Sequence, residues 1–413
     1  MTNINFKSLT ITNWKQFEEI NLDFHSQLTI LTGANGSGKT TILNILSRHF
    51  GWDHSELATP AQEKSTGFFR FFTRFFKTQS KTNEAKIGEL LYSDNKKTEL
   101  TIPDNNAAQY QVNIPHQQAI KGISIPSHRP TYFYRHVPHI STAKRTKQAA
   151  YNLAFGSSRN YYFSGGGQTS NFYLKETLMS WAIGGEGNKY VVADWELKQY
   201  FEEFQGVLRK VLPPTIGFKE LSIRNYEIVL ITDSGDFMLD AVSGGVSAII
   251  DLAWQIFSYT NTGEESMTVL IDELENHLHP EMQRSILPNL INAFPNIQFI
   301  VSTHSPLIVG SVKNSNVYAF RYKKLEDLKT VRVYNEKLDL VNKAKTATEI
   351  LNEVLGVPFT MPLWVESKLN EIVSKYAQQE VSENTFDNMR SDLKEIGLEE
   401  LMPEAMKKTL NKK

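Results

Sequence analysis

Residues 33–40 read "GANGSGKT", a full match to the pattern Gly-x-x-x-x-Gly-Lys-[Ser/Thr]. That pattern makes physical sense only where a strand leads in and a helix leads out. Here "QLTILTG" precedes it and "TTILNILSRHF" follows. Glycines let successive backbone N–H groups turn inward as an anion nest, and the helix N-terminus adds the positive end of a dipole. Asn35, Gly36, Ser37, Gly38, Lys39, Thr40 and Thr41 are therefore expected to cradle a phosphate chain. Lys39 would reach the β- and γ-phosphates and Thr40 would hold Mg²⁺, so ATP and Mg²⁺ are the expected cofactors.

Two later segments fit around such a loop. "MTVLIDELE" is an apolar strand ending in Asp272-Glu273. Asp272 suits a carboxylate that holds Mg²⁺ beside the loop. Glu273, pointing the other way, suits a base that polarises the attacking water. An acidic turn after a strand is common by itself; the upstream loop gives this one its meaning. "FIVSTHSP" then places His304 after another apolar strand, with one helix between. In that set His304 fits a γ-phosphate sensor that orients the base; alone it would read as structural or exposed.

Together "GANGSGKTT", "SGG", "LIDELENHLHP" and "STHSP" resemble ABC-type ATPases of the RecF, SMC and overcoming-lysogenization-defect (OLD) group. The chain looks most like stand-alone ATPases related to OLD proteins. The motifs cover residues 1–50 and 235–325; the rest matches by layout only. One departure is Leu274, where the family often has Asp-Glu-Pro-Glu. The carboxylates are intact, so hydrolysis is expected to survive, with a turn less rigid than proline would give.

The resemblance implies that Ser243, Gly244 and Gly245 cap the γ-phosphate bound by a second chain. Ser243 offers a hydroxyl, and the glycines allow close approach at a helix N-terminus. Taken alone, the segment also reads as a glycine turn before a core helix. A homodimer or higher homo-oligomer with ATP sandwiched between heads follows, with Asn276 and His277 near the partner. So does a sensor or scaffold role in bacterial antiphage systems of the Septu, PARIS and retron-associated kinds. There a separately encoded effector, a nuclease or toxin, would do the damage. OLD proteins also carry a metal-dependent nuclease domain. "LWVESK" offers Glu366, but no Asp-x-Asp follows, so Glu366 is expected to be an ordinary helix residue and no nuclease is expected.

Other segments stay open. The glutamine loop of such ATPases has Gln117 and Gln118 as candidates, with "SHRP" at 127–130 another. Arg129 either approaches a phosphate or serves packing. In "GFFRFFTRFFK" the phenylalanines at 68, 69, 71, 72, 75 and 76 follow helical spacing, with Arg70, Arg74 and Lys77 opposite. Such a helix would bury its aromatic face in the core, in a protein interface or at a membrane surface.

Composition trims the alternatives. The 413 residues carry a net charge of −1, 40% hydrophobic and 22% charged side chains, and no cysteine. That excludes disulfides and thiol chemistry and fits a cytoplasmic protein. No run of about 18 apolar residues exists, so no membrane span is expected. A RecF-like repair or recombination ATPase that binds DNA is the alternative function; the missing basic excess weighs against it. Transporter nucleotide-binding subunits share the core motifs, but the helical insertion and "ENHLHP" point away from them.

The expected fold is α/β: an ABC-type head with a P-loop mixed sheet and an antiparallel β subdomain, plus a helical insertion and a helical C-terminal region. Four segments are expected. Residues 1–140 hold the phosphate loop and β-strands, and 141–215 a helical insertion. Residues 216–325 hold the second half of the head, and 326–413 a helical C-terminal region.

Overall fold

A strand with parallel neighbours on both sides has no face left for solvent, and three runs of this chain are apolar enough for that place. In a computed structural model they are β3 (Leu28–Gly33), β14 (Met267–Ile271) and β15 (Ile297–Thr303), and every residue in them is buried. The structure describes residues 4–62, 69–72, 84–103, 107–129, 132–164, 170–260, 266–325, 330–339, 350–351, 363–377 and 383–411. The chain divides into two compact units, Met1–Ile350 and Leu351–Lys413.

The first unit opens with β1 (Phe6–Trp14) and β2 (Phe17–Asp23), then β3 and α1 (Lys39–Ser47). Short strands follow as β4 (Glu56–Leu57), β5 (Thr59–Gln62) and β6 (Phe69–Phe72). After them come β7 (Glu84–Tyr92), β8 (Lys97–Pro103), β9 (Gln109–Tyr110) and β10 (Gly122–Ile125). Three helices come next: α2 (Lys147–Ser164), α3 (Ser170–Glu186) and α4 (Trp195–Val211). Then follow β11 (Phe218–Arg224), β12 (Glu227–Thr232), β13 (Gly235–Met238), α5 (Gly244–Tyr259) and β14. Helix α6 (Pro280–Ala293), β15, α7 (Pro306–Val309), β16 (Asn316–Leu325) and β17 (Thr330–Lys337) complete the described elements of this unit.

Ten strands share one sheet, in the order β10-β14-β15-β3-β16-β17-β2-β1-β7-β8. From β10 to β16 all pairings are parallel; from β2 to β8 all are antiparallel. The antiparallel part is thus the other half of the same sheet, joined through β17, which pairs antiparallel with β16 and parallel with β2. A small antiparallel sheet, β11-β12-β13, stands apart from it.

Two expectations need correction. The aromatic run is no helix where it is described: Phe69–Phe72 form β6, paired antiparallel with β5 from Thr59↔Phe72 to Gln62↔Phe69. An F-F-x-F-F pattern fits more than one period. Phenylalanine favours strands, and the upstream segment supplies a backbone partner that a helix would not need. Phe68, Phe75 and Phe76 lie outside the described residues. Nor does the chain turn helical straight after residue 325, because β17 runs back along β16 from Tyr318↔Lys337 to Leu325↔Thr330. In the second unit, helices Leu363–Ala377, Glu383–Glu395 and Met402–Asn411 pack around Leu369, Val373, Met389 and Leu393. Glu366 lies in the first of these helices, as expected. Among the described residues no helix is long and apolar enough to cross a membrane.

Candidate active site

The phosphate loop springs from the buried end of β3 and closes into α1. Its turn needs glycine. Gly36 and Gly38 have φ of 75° and 97°, and a Cβ on Gly38 would stand 2.3 Å from the Phe17 ring. Lys39 folds back over the loop, donating to the carbonyls of Gly33 and Ala34, both at 3.1 Å. Burial lowers its pKa to about 8, against the opposing pull of Asp272, Glu275 and Glu273. Ser37 Oγ is buried with no hydrogen-bond partner among the described residues.

Neighbouring strand ends bring the distant motifs to this loop. β15 lies between β14 and β3, so the ends of all three meet. Thr40 Oγ1 donates to Asp272, 3.1 Å from Oδ1 and 3.0 Å from Oδ2. Burial pushes the Asp272 carboxyl up; hydrogen bonds from Ser302 and Thr40 oppose that shift. Ser302 Oγ donates to Asp272 Oδ1 and accepts from the Glu273 N–H at 2.9 Å. Glu273 is held in the left-handed region, φ 47°, with its carbonyl accepting from Arg129 Nη2 at 2.8 Å. Its carboxylate accepts from Asn276 Nδ2 at 2.9 Å. The backbone N–H of His304 donates to Glu275 Oε1 at 2.6 Å. Burial lowers the imidazole's pKa, reinforced by Lys39 and opposed by Glu275 and Glu273.

Glu273 and His304 face the phosphate loop across one pocket of about 400 Å³, lined by Gln16, Asn35, Gly36, Gly38, Lys39, Thr40, Thr41, Glu273 and His304. Ser37 lies buried within the loop, and Asp272 reaches the site through Thr40. Ser243, Gly244 and Gly245 do not line the pocket. Ser243 is the exposed N-cap of α5, and a Cβ on Gly245 would meet Met282 Sδ at 2.9 Å and the His277 carbonyl at 3.1 Å. The signature segment therefore sits against the "ENHLHP" turn. Asn276 turns inward, donating to Glu273 and, at 3.2 Å, to the Ser127 carbonyl; His277 is exposed.

Gln117 and Gln118 do not line the pocket either, and Gln118 bonds Lys96 and His116 instead. The glutamine that does is Gln16, carried on the tight turn between β1 and β2 where Trp14 pairs with Phe17. Its carbonyl accepts from Val333 N at 2.7 Å, which ties the turn to β17. Arg129 is buried beside the acidic strand end, with Nε and Nη1 unpartnered among the described residues. The turn at Leu274 is not loosened by its lack of proline. Leu274 is fully buried, and its N–H donates to the Ser302 carbonyl at 3.1 Å, a bond proline could not make.

The residues suit a nucleoside triphosphate with Mg²⁺. Among the described residues no three Asp, Glu or His side chains gather to hold a metal. A threonine hydroxyl with one carboxylate is the donor set that Mg²⁺ takes when phosphates and water supply the rest. A loop of this build on a central parallel strand, with a carboxylate on its threonine, defines a P-loop ATPase domain. More narrowly, the chain belongs to the family described as "AAA domain, putative AbiEii toxin, Type IV TA system", whose model matches residues 28–310. "P-loop containing region of AAA domain" matches residues 6–48. The "Retron Ec83 probable ATPase" of Escherichia coli is 33% identical over 115 residues, 25% of this chain and 21% of that protein. The "Septu protein PtuA" of Bacillus thuringiensis is 24% identical over 168 residues, 38% of this chain and 42% of that protein. The chain thus spans less than half the length of these relatives. Among solved structures, the SMC head bound to the C-winged helix domain of ScpA matches with a TM-score of 0.44. It is 14% identical over 82% of this chain and 99% of that one.

Proposed function

We propose that the protein binds ATP with Mg²⁺ in this pocket and hydrolyses it. One observation carries the reading: the hydroxyl of Thr40, in the phosphate loop, lies 3.0–3.1 Å from both oxygens of Asp272, 232 residues away. The loop N–H groups and Lys39 bind the phosphates; Thr40 and Asp272 would hold Mg²⁺, which would supply neutralisation of the phosphate charge. Glu273 accepts the proton of the attacking water, with Asn276 fixing one carboxylate oxygen. His304 donates to the γ-phosphate.

Ser243, Gly244 and Gly245 serve a second copy. They are absent from their own pocket, and the exposure of Ser243 and Gly244 at a helix N-terminus supports a cap on the partner's phosphate. ATP then joins two heads, and hydrolysis releases them. The likeness to a retron ATPase and to Septu PtuA supports a sensor or scaffold role in antiphage defence, with a separate effector under its control.

The test is Glu273→Gln followed by light scattering with ATP and Mg²⁺. A persistent dimer that does not turn ATP over is expected, with no dimer for Lys39→Ala. Hydrolysis by Glu273→Gln at the unmodified rate would place the base elsewhere. A stoichiometric nuclease or toxin co-purifying from the native host is the expected sign of the effector; a lone dimer would count against it.

A further inference from the structure

The parallel strands have a second end, away from the phosphate loop, where β14 and β15 begin at Met267 and Ile297. There the chain forms a half-open pocket of about 550 Å³, a volume suited to a small organic ligand. Among the described lining residues its charge is one-sided: Lys121, Lys147 and Lys210 stand against Glu203, three positive groups to one negative. Lys147 is only 4% exposed; its Nζ donates to Glu203 at 2.9 Å and lies 3.8 Å from the Phe257 ring centroid. Burial lowers the Lys147 pKa, and Glu203 only partly offsets this, so a further anion would stabilise the ammonium. Phe257, Val207 and Met267 make part of the wall apolar.

Gly206 is the second, independent sign. It sits inside α4, where glycine weakens a helix relative to alanine. A Cβ there would meet nothing within 4 Å, so packing does not require a glycine. Gly206 lines the cavity, and what its missing side chain preserves is open space.

We propose that this cavity binds a small planar organic anion, its ring in the apolar half and its carboxylate or phosphate on Lys147 and Lys210. Helix α5 runs from Gly244 to Tyr259, so it links the cavity, through Phe257 and Tyr259, to the Ser243 end. Occupancy is thus placed to be felt at the signature segment.

The site does not depend on the phosphate loop, so the test uses the full chain carrying Lys39→Ala. It is titrated separately with AMP, GMP, CMP and UMP, and with salicylate and indole-3-acetate, by calorimetry and tryptophan fluorescence. Trp254 reports locally, its ring 6.5 Å from that of Phe257. Saturable binding of one class is expected, and which class binds separates a nucleotide source from an aromatic carboxylate. Lys210→Glu, at an exposed position, should weaken it about tenfold. Gly206→Leu should abolish it while leaving the melting temperature unchanged or higher. No saturable binding of either class at millimolar concentration overturns the proposal, as does binding that survives Gly206→Leu in the folded protein.

Discussion

Replacing Ser302 with alanine removes one hydroxyl, leaving the Glu273 N–H unmet and the Asp272 carboxylate with Thr40 as its remaining donor. Ser302 is fully buried at the end of β15, and its Oγ serves both the Asp272 carboxylate and the Glu273 N–H. Alanine fits the space, so the loss is electrostatic. A hydrogen bond to a charged group contributes about 1.5–3 kcal/mol, and an unmet buried donor costs about 1–3 kcal/mol. The two overlap, and about 2–4 kcal/mol of stability should be lost from the unit spanning 1–350. The Glu273 φ of 47° adds to the effect. That region disfavours a residue with a Cβ by roughly 1–2 kcal/mol, and the Arg129 and Asn276 bonds to Glu273 would be left to hold it. As each 1.4 kcal/mol of transition-state stabilisation is tenfold in rate, kcat should fall roughly ten- to hundredfold. The pH dependence has a defined sign. Burial raises the Asp272 pKa and Ser302 opposes it, so Ser302→Ala raises it further. The ionised form then appears only at higher pH, moving the acid limb of activity upward and raising the Mg²⁺ requirement. Urea unfolding, ATPase rates from pH 5 to 9 and Mg²⁺ titration are the assays. An unmodified midpoint, rate and acid limb together would refute the assigned coupling of Ser302 to the two acids.

Three further outcomes are expected. ATP affinity should weaken as pH rises through about 8, approaching tenfold per pH unit, because Lys39 loses its proton there in the free protein; a flat affinity from pH 7 to 9.5 would remove Lys39 from the phosphate contact. Gly38→Ala should abolish nucleotide binding in a folded chain, since its Cβ would stand 2.3 Å from the Phe17 ring at a φ of 97°; binding by fluorescent-nucleotide titration at normal affinity would contradict this. Gly245→Val should keep ATP binding, as Gly245 is outside the pocket, yet lose the ATP-dependent dimer seen by light scattering, because its side chain presses on the His277 carbonyl; dimerisation as in the unmodified protein would sink the proposed trans cap.

The residues that could be read from the chain are those whose chemistry is local. "GANGSGKT" carries its own turn, and Gly36 and Gly38 have the positive φ that only such residues take easily. "MTVLIDE" announces a strand without a solvent face that ends on acids, and that strand is buried throughout. Local patterns failed where two periods fit one run. The phenylalanines satisfied a helix on paper, but backbone pairing with Thr59–Gln62 made Phe69–Phe72 a strand. The glutamine facing the pocket was missed for another reason: Gln16 arrives on a turn tied to β17, more than 300 positions along the chain.

What the sequence by itself determined was the phosphate loop, the acids and the strands that bear them, because glycine freedom and hydrophobic pattern act over a few residues. Tertiary structure alone decided which groups meet. Strand order sets β15 between β14 and β3, so Ser302 reaches the end of a neighbouring strand and binds two acids 29 and 30 positions away. Hydrogen bonds act within about 3 Å, and no short pattern in a chain records which strands will lie side by side.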